Sequence, residues 1–364
     1  MTNKFCRFLS NGYAVTVEDG STAVRPCCFF VESVPLNSDI LQNHRNKFGQ
    51  INGWTDNCLM CKDLEDMGQP SLRQSGPDWI PDHADDQYPI TLDIGLDTYC
   101  NAACVICNEV SSTLWEKEKN KLSGKTIKIK NSTEHVDDVI DQIVKNIKLD
   151  RLTHVKFYGG EPFFSDTHLK FINHIPHPEQ VTLHYTTNGS IYPNKQTLEA
   201  WKKFKLIIFA ASLDGIEQQF DYLRWPLSWD KVSDNLQRIR ENKDIWNIMF
   251  RVEFTANFLN VYYFDRLENW IKDNFNTNSQ GDLTELNVHH VYNHSSKIWN
   301  ADKMPEKMRL AVLSKYAKNH IMHNLVANLP PPQPMDDWHN FVNTWDLRRK
   351  NNWQTAFPDL VSLM

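Results

Sequence analysis

Three cysteines in the stretch DTYCNAACVICNEV, Cys100, Cys104 and Cys107, are spaced Cys-x3-Cys-x2-Cys, with no fourth cysteine near them. A metal held wholly by one chain usually takes four ligands. Three thiolates on a short loop can hold three irons of a [4Fe–4S] cluster, leaving the fourth iron open to an outside ligand. The competing reading is a zinc site completed by a distant histidine, or three unrelated buried thiols.

A second constellation precedes it. Cys6, the adjacent pair Cys27 and Cys28, and Cys58-x2-Cys61 complete a set of eight cysteines, none of which lies beyond Cys107. That asymmetry predicts a small cysteine-rich module ahead of a larger body. A Cys-x2-Cys pair suits tetrahedral zinc as well as a cluster, so a zinc ribbon is the plainer reading of this part.

The elements that must position these thiols follow from the pattern of apolar residues. NGYAVTVEDGS alternates like a hairpin with its turn at Asp19-Gly20. A Gly-, Pro- and Asp-rich linker runs from Met67 to Pro89. Beyond it, strands ITLDIGL, HVKFYGG, VTLHYTTNG, KLIIFAASLDG, WNIMFRVEFTAN and LTELNVHHVYN alternate with helical segments. One helix starts at Ser111 or Ser112. Another, over 135–148, aligns Val136, Val139, Ile140, Ile143, Val144 and Ile147 on one face. A third is expected over residues 229–241. About six such repeats predict a parallel α/β architecture, either a barrel, partial or full, or a doubly wound sheet. The three-cysteine loop directly follows the first of these strands, at the end of the sheet where loops carry chemistry. From Met304 the chain reads as helical, interrupted by NLPPPQP.

The Cys100/Cys104/Cys107 spacing in this position resembles the signature of radical S-adenosylmethionine enzymes. Further matches follow in order along residues 88–293. YGGEP resembles the family's Gly-Gly-Glu-Pro motif, which implies cofactor-lining roles for Gly159, Gly160, Glu161 and Pro162, with Glu161 accepting from the methionine ammonium. ASLDG resembles its Ser-x-Asp-Gly segment, implying that Ser212 contacts the methionyl carboxylate with Asp214 close by. Arg224 aligns with an arginine that pairs with this carboxylate in some members, and Asn257 with a strand-end cofactor-lining residue. Ile106 stands where the family usually has an aromatic residue. The resemblance implies a partial (β/α)6 TIM-like barrel. It also implies a [4Fe–4S] cluster on Cys100, Cys104 and Cys107 that reductively cleaves S-adenosylmethionine to a 5′-deoxyadenosyl radical, which abstracts hydrogen from a substrate carbon. The missing fourth ligand is then the cosubstrate.

The first sixty residues are similar to the twitch module, a short form of the SPASM domain. That resemblance implies a second, auxiliary [4Fe–4S] cluster on Cys6, Cys27 or Cys28, Cys58 and Cys61. The module usually follows the barrel, whereas here it precedes it. Adjacent side chains alternate along an extended chain, so one of the pair is expected in the set. Cys27 is the choice, with Cys28 packed as a small hydrophobe. The organisation expected is residues 1–80 as auxiliary module and linker, 81–300 as the core barrel and 301–364 as a helical extension. A fully thiolate-ligated auxiliary cluster favours an oxidation or cross-linking of a peptide or protein substrate, with that cluster accepting the electron. A sugar or nucleotide substrate is the alternative, and a zinc-binding interaction protein is the reading from another class. An external one-electron reductant such as flavodoxin or ferredoxin is implied.

Composition narrows the partners. Net charge of −6 over 364 residues gives no global basic footprint, so nucleic acid is not indicated. No run approaches a membrane span and the first residues do not read as an export signal, so a cytoplasmic protein with reduced thiols is expected. His289, His290 and His294 read as satisfied polar residues rather than ligands. Trp225 and Trp229 are candidates for the walls of a substrate cavity, and the lysine-rich segment after Lys117 for a solvated loop.

Overall fold

The computed structural model describes residues 6–18, 21–37, 54–66, 71–74, 89–124, 136–275, 285–290 and 297–364. Among these residues nine strands form one sheet: β1 (Gly12–Glu18), β2 (Ser21–Arg25), β3 (Val34–Pro35), β4 (Thr91–Gly95), β5 (His154–Phe157), β6 (Thr182–Thr187), β7 (Leu206–Ser212), β8 (Ile248–Ala256) and β9 (Glu285–His290). Their spatial order is β3-β2-β1-β4-β5-β6-β7-β8-β9. From β4 to β9 every neighbouring pair is parallel, and helices lie between strands along the chain, so the α/β, mostly parallel sheet expected from the sequence is present.

The hairpin joins this sheet. β1 pairs antiparallel with β2, with Glu18 opposite Ser21 across the two-residue connection expected at 19–20, which lies outside the described residues. On its other side β1 runs parallel to β4 over five positions, from Gly12 opposite Thr91 to Thr16 opposite Gly95. An isolated hairpin is marginal in water, and β4 would otherwise present an unpaired edge; the pairing relieves both. Cysteine content hides this connection, because it separates the segments by composition while backbone hydrogen bonding joins them.

The two faces of the sheet differ in chemistry. Leu92, Ile94, Val155, Phe157, Leu183, Tyr185, Ile207 and Phe209 are all buried on one face. Rings from helices pack there: Phe171 against Phe157, Trp201 against Tyr185, and Phe264 against Phe254 of β8. On the opposite face the intervening positions read Thr91-Asp93-Gly95, His154-Lys156, Thr182-His184-Thr186 and Arg251-Glu253-Thr255. Parallel strands sheathed on both faces are usually apolar on both. Here one face is apolar and helix-covered, while the other carries charged and polar residues along the parallel strands, interrupted on β7 by Ile208 and Ala210. Burial beside Lys156 and Arg251 pulls His154 down to about 3.

The helices lie close to their expected bounds. Thr113–Ser123 begins at Ser112, whose hydroxyl accepts from the Trp115 N–H and caps the helix. Val136–Asn146 buries Val136, Val139, Ile140 and Ile143, but Val144 is exposed at the rim of that face. Trp229–Glu241 matches the reading to the residue. After Met304 come helices Glu306–Lys315, Ile321–Ala327, Asp336–Arg349 and Trp353–Ala356, with the proline-rich segment between the second and third. Among the described residues no helix is long and apolar enough to cross a membrane. His289 and His290 end β9 opposite Thr255 and Ala256, and His294 lies outside the described residues.

Candidate functional site

The loop that follows β4 carries Cys100, Cys104 and Cys107, and three elements hold it. Trp115 donates its indole N–H to the Cys104 carbonyl at 2.7 Å, and Ser112 its hydroxyl to the Ala102 carbonyl at 2.6 Å. The Ala103 and Val105 amides donate to the Trp225 and Leu223 carbonyls at 2.7 and 2.8 Å, tying the loop to the segment after β7. Asn101 donates to the Ser190 hydroxyl and accepts from Asn188, both at 2.9 Å, tying it to the end of β6. These six hydrogen bonds set the thiol positions through backbone and neighbouring side chains, leaving the sulfurs for other work.

The turn after β5 packs directly on this loop. Gly160 and Glu161 donate their amides to the Asp97 and Tyr99 carbonyls at 3.2 and 2.7 Å. A Cβ on Gly160 would sit 2.1 Å from the Tyr99 carbonyl oxygen, and Gly159 has φ of +112°, so both glycines are dictated by geometry. Asp97 braces the same turn by accepting from the Ser165 and Thr167 hydroxyls, each at 2.8 Å. Pro162 opens the short helix that follows.

Glu161 is fully buried and is met by three donors. Oε1 accepts from the Thr187 hydroxyl at 2.7 Å and the Phe163 amide at 3.2 Å, and Oε2 from the Asn188 amide at 2.7 Å. A carboxylate offers about four acceptor positions, so among the described residues one stays open on Oε2. Burial outweighs these hydrogen bonds and pushes Glu161 up to about 7. A cation brought to that oxygen would draw it back down.

At the end of β7, Asp214 and Arg224 form a buried ion pair at 2.8 Å. Asp214 also accepts from the Thr255 amide, so its position is fixed from β8 as well. Arg224 in turn acts electrostatically on Cys104 and Cys107. Asn257 is wholly buried and spends its side-chain oxygen on the Leu259 and Asn260 amides, stitching the turn after β8. Ser212 ends β7 opposite Glu253. Trp229 is part of the core, against Phe220 and Trp270, whereas Trp225 packs beside the three-cysteine loop.

The other cysteines divide. Cys6, Cys27 and Cys58 share an apolar cluster with Leu9, Phe30, Phe8, Phe29 and Leu72. Cys61 lies close enough to Cys6, Cys27 and Cys58 to interact electrostatically with each. The thiol of Cys28 turns to the charged face of the sheet, where Asp93 is its hydrogen-bonding partner. Burial pushes Cys6 up to about 11 and Cys107 up to about 12, and raises Cys100 and Cys104. Such thiols stay protonated until a metal claims them.

Among the described residues no three Cys, His, Asp or Glu side chains converge as a single metal ion requires. A four-iron cube spreads its thiolates around a larger body, and both donor sets are sulfur-only, the chemistry such a cube takes. A further fit lies in Arg349, whose guanidinium is buried beside Cys104 with two nitrogens that lack hydrogen-bond partners among the described residues. Sequence reasoning does not single out Asn101, Asp97 or Arg349. Asn101 sits inside the cysteine motif itself, but Arg349 carries no local signal.

No protein-family model matches this chain, and no curated protein matches it. Solved structures similar to it include native anSMEcpe with bound AdoMet, at 14% identity and TM-score 0.40, covering 72% of this chain and 68% of that one. A tagged form of anSMEcpe, also with bound AdoMet, is covered over 61% of its length. Streptococcus suis SuiB bound to S-adenosylmethionine matches at 13% identity and TM-score 0.40, covering 95% of this chain and 74% of that one. TYW1 with a lysine-pyruvate adduct bound matches at 13% identity and TM-score 0.32, over 64% of this chain and 71% of that one.

Proposed function

We propose that the chain is a radical S-adenosylmethionine enzyme whose substrate is a peptide or protein. The observation that carries this reading is one assembly at the C-terminal end of the parallel strands. There the three-cysteine loop after β4, the Gly159-Gly160-Glu161 turn after β5 and the Asp214–Arg224 pair after β7 are joined by direct hydrogen bonds or electrostatic contact. On this reading Cys100, Cys104 and Cys107 hold a [4Fe–4S] cluster with one open iron. When bound, that group supplies the electron that cleaves S-adenosylmethionine to methionine and a 5′-deoxyadenosyl radical.

The residues of the chain bind, orient and shield. The vacant acceptor position on Glu161 Oε2 is suited to the methionine ammonium, and Gly160 keeps the turn flush against the Tyr99 carbonyl. Arg224 is held in place by its ion pair with Asp214 and lies beside the thiolates, where the remaining N–H donors of its guanidinium fork suit a carboxylate; Ser212 borders the same place. Pro162 and Asn257 fix the turns that line it.

Cys6, Cys27, Cys58 and Cys61 would hold a second, fully ligated cluster. Such a cluster offers no open iron and suits electron transfer, so the net reaction we propose is an oxidation or a cross-link. Residues 1–80, 81–300 and 301–364 correspond on this reading to auxiliary module, core and extension, in a cytoplasmic enzyme fed by a flavodoxin- or ferredoxin-type reductant. The test is anaerobic purification and reconstitution. About eight irons per chain, a spectral change on adding S-adenosylmethionine, and 5′-deoxyadenosine under dithionite are expected. Zinc without sulfide would overturn the reading, and product formed from a sugar or nucleotide instead of peptide would redirect the substrate assignment.

A further inference from the structure

Arg349, at the end of the helix Asp336–Arg349, lies far along the chain from the cysteines yet beside them in space. It is only 8% exposed. Its guanidinium stands 4.5, 4.7 and 5.1 Å from the ring centres of Trp115, Trp225 and Trp345. Two of these residues belong to the scaffold of the cysteine loop: Trp115 donates to the Cys104 carbonyl, and the Trp225 carbonyl accepts from the Ala103 amide. Ala103, Cys107, Trp115, Trp225 and Trp345 form one apolar cluster around it.

Burying a guanidinium is costly, and indole faces return only a part of that cost. The remainder calls for an anion. Nε and one Nη of Arg349 have no hydrogen-bond partner among the described residues. The nearby acids are already engaged, Asp346 by Tyr222 and the Trp353 amide, and Glu118 by Lys121. The thiol of Cys104 is the group on which Arg349 also acts electrostatically. Glu118 and Asp346 act on Arg349 electrostatically, but no acid is directly paired with it among the described residues. A cluster bound by three thiolates is an anion, and it would stand beside this cation.

We propose that Arg349 is a positioning residue for the three-cysteine centre: a caged cation, delivered by the C-terminal helix, that balances the negative charge of a bound cluster and so raises its reduction potential. Arg224 is the cation on the β7 side, but Asp214 cancels it; Arg349 has no such partner among the described residues. The inference rests on the proposed cluster reading of Cys100, Cys104 and Cys107.

The test is an EPR-monitored redox titration of the reconstituted enzyme and its variants. Arg349→Gln and Arg349→Met should disfavour one-electron reduction of the cluster on this loop at least tenfold, a downward shift of about 59 mV. Arg349→Lys keeps the charge and should change it less than threefold. So should Arg348→Gln, which removes a neighbouring exposed charge. As a second readout, cluster loading should raise the Tm of Arg349→Met less than that of wild type. Wild-type potential in Arg349→Gln, or a tenfold loss in Arg349→Lys, would overturn the proposal; the lysine variant decides if the neutral ones do not fold. A wild-type protein in which no cluster responds to S-adenosylmethionine would instead bring down the reading beneath it.

Discussion

The two cysteine sets of this molecule differ in how much charge surrounds them. Cys6, Cys27 and Cys58 sit against Leu9, Phe8, Phe29, Phe30 and Leu72, and the ion pair Arg73–Glu65 is a charged neighbour of this set, acting electrostatically on Cys6 and Cys61. Cys100, Cys104 and Cys107 are more densely surrounded by ionisable groups, with Arg224, Asp214, Arg349 and Glu161 all acting on at least one of them. On the proposed reading, the four-cysteine set would complete its own coordination and need mainly to be sealed. The three-cysteine loop would also receive a charged ligand, and charges placed in advance would reduce what that ligand must reorganise.

The sharpest way to break this contrast is Cys104→Ala. It should reduce 5′-deoxyadenosine formation under dithionite to background while the four-cysteine set keeps about four irons per chain, as read by iron and sulfide analysis. Cys58→Ala should do the converse, sparing uncoupled cleavage of S-adenosylmethionine and blocking substrate turnover. Equal turnover in wild type and Cys58→Ala would remove any essential role for the sealed set. Next in size is Arg224→Gln, which strips Asp214 of its cation and should destabilise the metal-free protein by about 3–5 kcal/mol in urea unfolding. Arg73→Gln should cost less, about 1–3 kcal/mol, since Glu65 keeps a hydrogen bond from Ser71 at 2.6 Å. That variant should leave the rate of S-adenosylmethionine cleavage unchanged; a large fall would mean that the two sets are coupled more tightly than their surroundings imply.

Much of the architecture is legible in the sequence because it is local. Helix boundaries follow from caps such as Ser112, and strands from runs such as KLIIFAAS. The glycines of YGGEP announce a close approach without naming the approaching atom, the Tyr99 carbonyl. What escapes is long-range. The pairing of β1 with β4 links segments separated by two cysteine groups and a linker, and no periodicity reports which strand another will meet. Arg349 is one cation in a helix whose sequence, DDWHNFVNTWDLRR, gives no reason to prefer it over Arg348. The charged face is present as alternation in Thr91-Asp93-Gly95 and Thr182-His184-Thr186, but strands this short declare their existence more clearly than the side on which they are polar. Asn257 shows the reverse: its strand-end position invites a ligand role, while its side-chain oxygen is consumed by the turn it closes.

The lateral union of β1 with β4 has a practical corollary. An investigator who trims the first eighty residues to obtain a minimal catalytic fragment would strip a neighbour from the very strand that launches Cys100, leaving its amides and carbonyls open to any other chain in the tube. Such a fragment should precipitate or self-associate rather than behave as a smaller enzyme, and grafting the leading segment onto an unrelated scaffold should fail for the complementary reason.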